Sequence, residues 1–165
     1  MRRSLGLMLA MSMITMGIPA VAQDRVGVTA AVNLEAEGQP PNKPIEKLVL
    51  GQNVVRNERI STFDRGQVQL QFVDESTLSL APNSEIVIDE FVYDPTKQVG
   101  KMTATVTAGL LRYVGGRISK QTDAVNFATP SGNVAVRGGV ALIEVKRNSP
   151  AASPNRAAPA PTPPR

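Results

Sequence analysis

Residues 68–91 read VQLQFVDESTLSLAPNSEIVIDEF. Val68, Leu70 and Phe72 alternate with Gln69 and Gln71, the period of a strand with one buried face. Asp74-Glu75 breaks the alternation, and Leu78 and Leu80 resume it with Thr77 and Ser79 on the opposite face. Ala81-Pro82-Asn83-Ser84 breaks it again, because proline lacks a ladder donor and asparagine tolerates a left-handed turn. Ile86-Val87-Ile88 is a third, β-branched run ending in Asp89 and Glu90. Three short strands joined by tight turns leave no room for an ordinary helix, so the segment predicts an all-β fold.

The same alternation extends outward. Upstream, Val26–Val32 predicts a short strand, Asn33–Pro44 an exposed loop, and Leu48–Val55 a strand pair bent at Gly51. Ile60–Phe63 then leads through Asp64-Arg65-Gly66 into the central triplet. Downstream, Asp94-Pro95-Thr96-Lys97 has good turn chemistry, and Met102, Ala104 and Val106 alternate with threonines. Gly109 separates that strand from Leu110–Val114. Val125–Thr129, Val134–Val136 and Val140–Val145 complete a single domain of many short strands: a sandwich, a roll or a β-helix-like coil. With aromatics at 4% and no tryptophan, its core is aliphatic.

The two ends differ from this pattern. Residues 1–22 read as a signal peptide, with Arg2-Arg3, an apolar run from Leu5 to Ile18, and Ala20-Val21-Ala22 as the cleavage motif before Gln23. The apolar run falls short of the ~20 residues that span a bilayer, so the mature chain is expected to be periplasmic or otherwise exported, and not membrane-spanning. Residues 23–44 form an N-terminal extension, residues 45–146 the β domain, and residues 147–165 a disordered tail rich in proline and alanine.

Composition excludes several functions. The net charge of +4 resides in the two ends: residues 23–145 hold 12 basic and 14 acidic side chains, so no nucleic-acid stripe is expected. With neither cysteine nor histidine, the chain has no disulfide, no thiolate nucleophile and no imidazole base. Ser131-Gly132-Asn133 has the S-x-N form of penicillin-binding enzymes, but no serine has lysine three positions later, which makes it a turn. Asp89, Glu90 and Asp94 form a compact acidic group without the alternation and central glycine of a calcium loop, and they read as edge charges. No metal, no cofactor and no enzymatic activity are expected.

Arg137-Gly138-Gly139, between two apolar strands, is the candidate binding segment. The guanidinium there can grip a carboxylate bidentately, or it can pair with an acid at the core edge while the glycines bend the strand.

Taken together, several motifs resemble the FecR-domain family. They are Gly51-Gln52-Asn53-Val54, Ile60-Ser61-Thr62, the block Leu70–Leu78, Pro82-Asn83-Ser84-Glu85, Gly109-Leu110-Leu111-Arg112, Thr129-Pro130 and Val136-Arg137-Gly138. Glu75 stands where the family pattern has a turn glycine, and Gly139 where it has threonine. The best-known members are sensors that join a cytosolic anti-sigma segment and a membrane helix to a periplasmic β domain. The resemblance implies a stand-alone exported member without those two segments. Its expected role is a protein-binding or sensory module with an envelope or outer-membrane protein as partner, or alternatively a structural scaffold of the cell envelope.

Overall fold

In the computed structural model, residues 25–147 apart from Leu34 are described. The segment expected to be a signal peptide and the residues beyond Arg147 lie outside them. The described residues form twelve strands, all antiparallel to their neighbours save one pair.

The strands expected from residues 68–91 are β6 (Val68–Phe72), β7 (Thr77–Leu80) and β8 (Glu85–Asp94). Their inward residues Leu70, Leu78, Leu80, Ile86 and Ile88 are buried, and the alternating glutamines and threonine are not. Asn83 takes φ 56° in the turn between β7 and β8, the left-handed geometry its sequence context calls for.

The organising element is β9 (Val99–Val114), one strand of 16 residues. Gly109 was expected to separate two strands; instead the chain runs through it at φ +96° and changes layers. Up to Ala108, β9 pairs with β8 and, in parallel, with β10 (Val125–Thr129). From Gly109 onward it pairs with β7 and with β12 (Val140–Val145). β11 (Gly132–Val136) forms a hairpin with β10 through the Pro130–Gly132 turn.

The N-terminal strands complete both layers. β1 (Arg25–Val32) lies between β6 and β4 (Asn53–Val55), while β2 (Ala36–Gln39) lies between β5 (Arg59–Thr62) and β3 (Glu46–Lys47). One layer therefore runs β4-β1-β6-β7-β9-β12 and the other β3-β2-β5-β8-β9-β10-β11. They close over one aliphatic core, pinned by two aromatic contacts between layers. Phe72 stacks on Phe91 at 5.2 Å, and Tyr113 meets Phe127 edge-on at 5.3 Å.

Two sequence expectations need correcting. The loop expected over Asn33–Pro44 contains β2, whose Ala36 and Gly38 are buried. Its sequence Ala-Glu-Gly-Gln carries no β propensity, and tertiary packing decides. A Cβ at Gly38 would come within 2.6 Å of Glu58 Oε1 and 2.8 Å of Leu48 Cδ2, so only glycine lets β2 close over them. Likewise, Leu48–Val55 contributes only β4, because Gly51 turns the chain at φ +78°.

Candidate functional site

Three of the motif positions meet where β9 changes layers. Thr62 Oγ1 donates to the Ala81 carbonyl (2.7 Å) and accepts the Ser84 N–H (2.9 Å). Ser84 Oγ accepts the Leu110 N–H (3.0 Å) and donates to the Leu110 carbonyl (3.2 Å). A Cβ on Gly109 would lie 2.1 Å from Ser84 Oγ, so the glycine is what allows the hydroxyl to reach β9. Thr62, Ser84 and Gly109 thus build a buried corner. Their hydrogen bonds are spent within the fold.

The β6–β7 turn is a second such knot. Buried Asp74 accepts the Ser76 hydroxyl (2.6 Å) and amide (3.1 Å) with Oδ1 and the Ile118 amide (3.2 Å) with Oδ2. Glu75, in the place of a turn glycine, takes φ 69° and forms an ion pair with Arg117 at 2.6 Å. The Arg117 guanidinium, by hydrogen bond and charge, holds the Glu75 carboxyl below its ordinary range. Beneath this turn lies Tyr113, whose phenol burial pushes up to about 12. Its hydroxyl sits among Ser76, Ser119 and the Gly116 backbone amide without a hydrogen bond of good geometry.

The Arg137-Gly138-Gly139 segment joins β11 to β12 and packs on the loop after β9. Gly138 donates to the Ser119 carbonyl (2.6 Å), and Gly139 accepts the Gly115 amide (2.8 Å). Both glycines take left-handed φ, +65° and +63°, with open space where a Cβ would stand. The need for glycine is therefore conformational, and β-branched threonine at position 139 would be strained. Arg137 itself is exposed, and among the described residues its side chain has no ion-pair or hydrogen-bond partner.

The acidic group is already engaged. Asp89 accepts the Thr105 hydroxyl (2.7 Å), Glu90 pairs with Lys101 (2.9 Å), and Asp94 caps the Thr96 and Lys97 amides. Among the described residues no acidic cluster is arranged to hold a metal ion.

A less expected feature lies beside Arg137. β12 pairs only with β9, leaving its other edge open among the described residues. Because Gly139 bonds Gly115 and the register is antiparallel, Ala141, Ile143 and Val145 turn their backbone groups toward β9. Val140, Leu142 and Glu144 turn theirs to the open edge. The side chains of these three residues also face outward, with Val140 58% and Leu142 68% exposed. Leu142 stands opposite Arg112 of β9, and the two line a groove of about 560 Å³ with Gln69, Ser79 and Leu110. Sequence reading missed this surface because Val-Ala-Leu-Ile-Glu-Val is apolar on both faces, a pattern that normally marks a strand covered on both sides.

The family model described as FecR protein matches residues 58–153, more than half of the chain. The chain belongs to the FecR protein family. No curated protein and no solved structure matches it. Of the motif positions quoted for the FecR resemblance, Thr62, Asp74, Ser84 and Gly109 are internal supports, whereas Arg112 and Arg137 are exposed. Among the described residues, no helix is long and apolar enough to cross a membrane.

Proposed function

We propose that this FecR-domain chain is a non-enzymatic module that works outside the cytoplasm by binding an envelope protein during signalling. The observation that carries the reading is the open β12 edge with Val140 and Leu142 exposed. Natural sheets blunt such edges with charge, proline or a covering segment, and an apolar edge left open is a surface kept for a partner. Among the described residues the other open edges are shorter: β3 has 2 residues, β4 has 3, and β11 has 5, of which Val134 is the large apolar side chain exposed, less so than Val140 or Leu142. Arg137-Gly138-Gly139 opens this edge, its glycines setting where β12 begins and its guanidinium free for a carboxylate. The absence of histidine and cysteine and the engagement of Asp89, Glu90 and Asp94 within the fold support a role without catalysis.

The test is capture from envelope extracts with the full chain as bait, in parallel with Leu142→Asp, which leaves the β9 ladder intact and places a negative charge on the edge. Saturable capture by the wild type that the variant loses is the expected result. Equal capture by both would refute the edge as the binding surface. Location is checked separately by N-terminal sequencing of periplasmic material, expected to start at Gln23; full-length protein confined to the cytosol would contradict export.

A further inference from the structure

We infer that the β12 edge takes an acidic, extended segment of the partner, added as an antiparallel strand whose apolar and acidic residues alternate; this rests on the binding reading above. The backbone supplies the first half of the inference. Among the described residues, Val140, Leu142 and Glu144 each present an N–H and C=O to the same side with no strand beside them, so an added strand makes hydrogen-bonded pairs at alternate residues. Outward-facing Val140 and Leu142 then pack against its apolar residues.

Charge supplies the second half. Arg137 stands at the start of β12, Lys146 and Arg147 directly follow it, and Arg112 lies one strand inward, opposite Leu142. All four are exposed, and none has an ion pair among the described residues. Glu144 is the sole acid on β12. The edge is therefore bracketed by cations at both ends, with a third point of positive charge beside its middle. An acidic strand meets these groups, with arginine able to grip each carboxylate bidentately.

The same charges disfavour a second copy of this chain. Pairing β12 with itself in the register that sets Leu142 opposite Leu142 places Arg137 opposite Arg147. Like charges directly opposite across strands are destabilising.

The test uses the full chain and labelled, blocked peptides of alternating glutamate and valine, or lysine and valine, followed by fluorescence anisotropy and by amide exchange of β12. The glutamate peptide should bind, lose affinity as salt rises, and protect the Val140, Leu142 and Glu144 amides. The lysine peptide should bind at least ten-fold more weakly. Arg112→Glu should weaken the glutamate peptide about ten-fold. Leu142→Pro removes one outward N–H that β9 does not use, and should abolish binding. Should that variant melt early, Leu142→Asp, which sets a like charge against the acidic strand, serves in its place.

Equal binding of both peptides would overturn the acidic class. Binding that survives both Leu142 variants would overturn the edge as the site. A free chain that sediments as a dimer, dissociated by Leu142→Asp, would give the edge to a second copy instead. If extract capture depends on Leu142 but the glutamate peptide does not bind, only the acidic class falls. If neither depends on Leu142, the binding reading falls with it.

Discussion

Gly109→Ala is the most informative single substitution, because two separate costs can be read from its surroundings. The first is conformational. At φ +96° an L-residue is strained, at about 1–3 kcal/mol. The second is steric and polar. The new methyl would lie 2.1 Å from Ser84 Oγ, 2.4 Å from Ser84 Cα and 2.5 Å from its Cβ, so the β7–β8 turn must move away from β9. That movement breaks both bonds between Ser84 Oγ and Leu110, each contributing about 1 kcal/mol. The expected total is about 3–5 kcal/mol, lowering the melting temperature by roughly 10–20 °C for a domain of this size. Gly138→Ala is the control: its φ is +65° but no atom lies within 4 Å of the new methyl, leaving only about 1–2 kcal/mol of strain. Urea denaturation of Gly109→Ala, Ser84→Ala and the double variant completes the cycle. Since Gly109→Ala already breaks the Ser84 bonds, the double variant should be scarcely worse than Gly109→Ala alone. If Gly109→Ala costs no more than Gly138→Ala, or if the two corner substitutions simply add, the close approach of Ser84 to β9 is not what requires glycine there.

Three further outcomes are expected. Glu58 is fully buried with Oε1 unpartnered, and burial raises its pKa against the Val55 amide and Lys43, which lower it. Its folded-state proton is thus the tighter one, so stability should rise as pH falls through the folded pKa toward about 4.5. Glu58→Gln keeps an acceptor for Val55, and should gain about 1–2 kcal/mol at neutral pH and flatten that acid-side rise, as followed by urea midpoints from pH 7 to pH 4. Glu75→Gly trades an exposed ion pair for relief of a left-handed φ, and calorimetry should show a slightly higher melting temperature with weaker salt dependence. Tyr113→Phe deletes a buried hydroxyl that has no well-formed hydrogen bond, so its stability measured by urea unfolding should fall by less than about 1 kcal/mol or rise; a larger loss would mean that Ser76 or Ser119 holds that oxygen.

The triplet β6–β8 was legible because alternation and turn chemistry agree there: Leu70, Leu78 and Ile86 point one way, and Asn83 turns where it should. β2 was not legible, since a strand of Ala-Glu-Gly-Gln is held by what β5 and Leu48 bring to it, and period-2 hydrophobicity cannot report that. Gly109 was seen as a break. Its actual part, turning one strand from the first layer into the second, depends on Ser84, 25 residues earlier in the chain, and becomes visible only once the two meet. For the candidate site, the sequence singled out Arg137 with its glycines but not Val140 and Leu142. Apolar residues on both faces of a strand cannot reveal which face the fold leaves uncovered.

The position of β9 also sets an order of assembly. Its partners β7 and β8 precede it in the chain, and β10 and β12 follow it. As the chain grows from its N-terminus, β7 and β8 each have one edge that no earlier strand can satisfy, and neither layer is complete before Val114 arrives. Apart from the β8–β9 hairpin, the pairings of β9 with β7, β10 and β12 are long in sequence, which slows folding and leaves strand edges exposed in the interval. A chain truncated ahead of Val99 should be captured by chaperones or aggregate, whereas one ending after Val145 should fold in a single step.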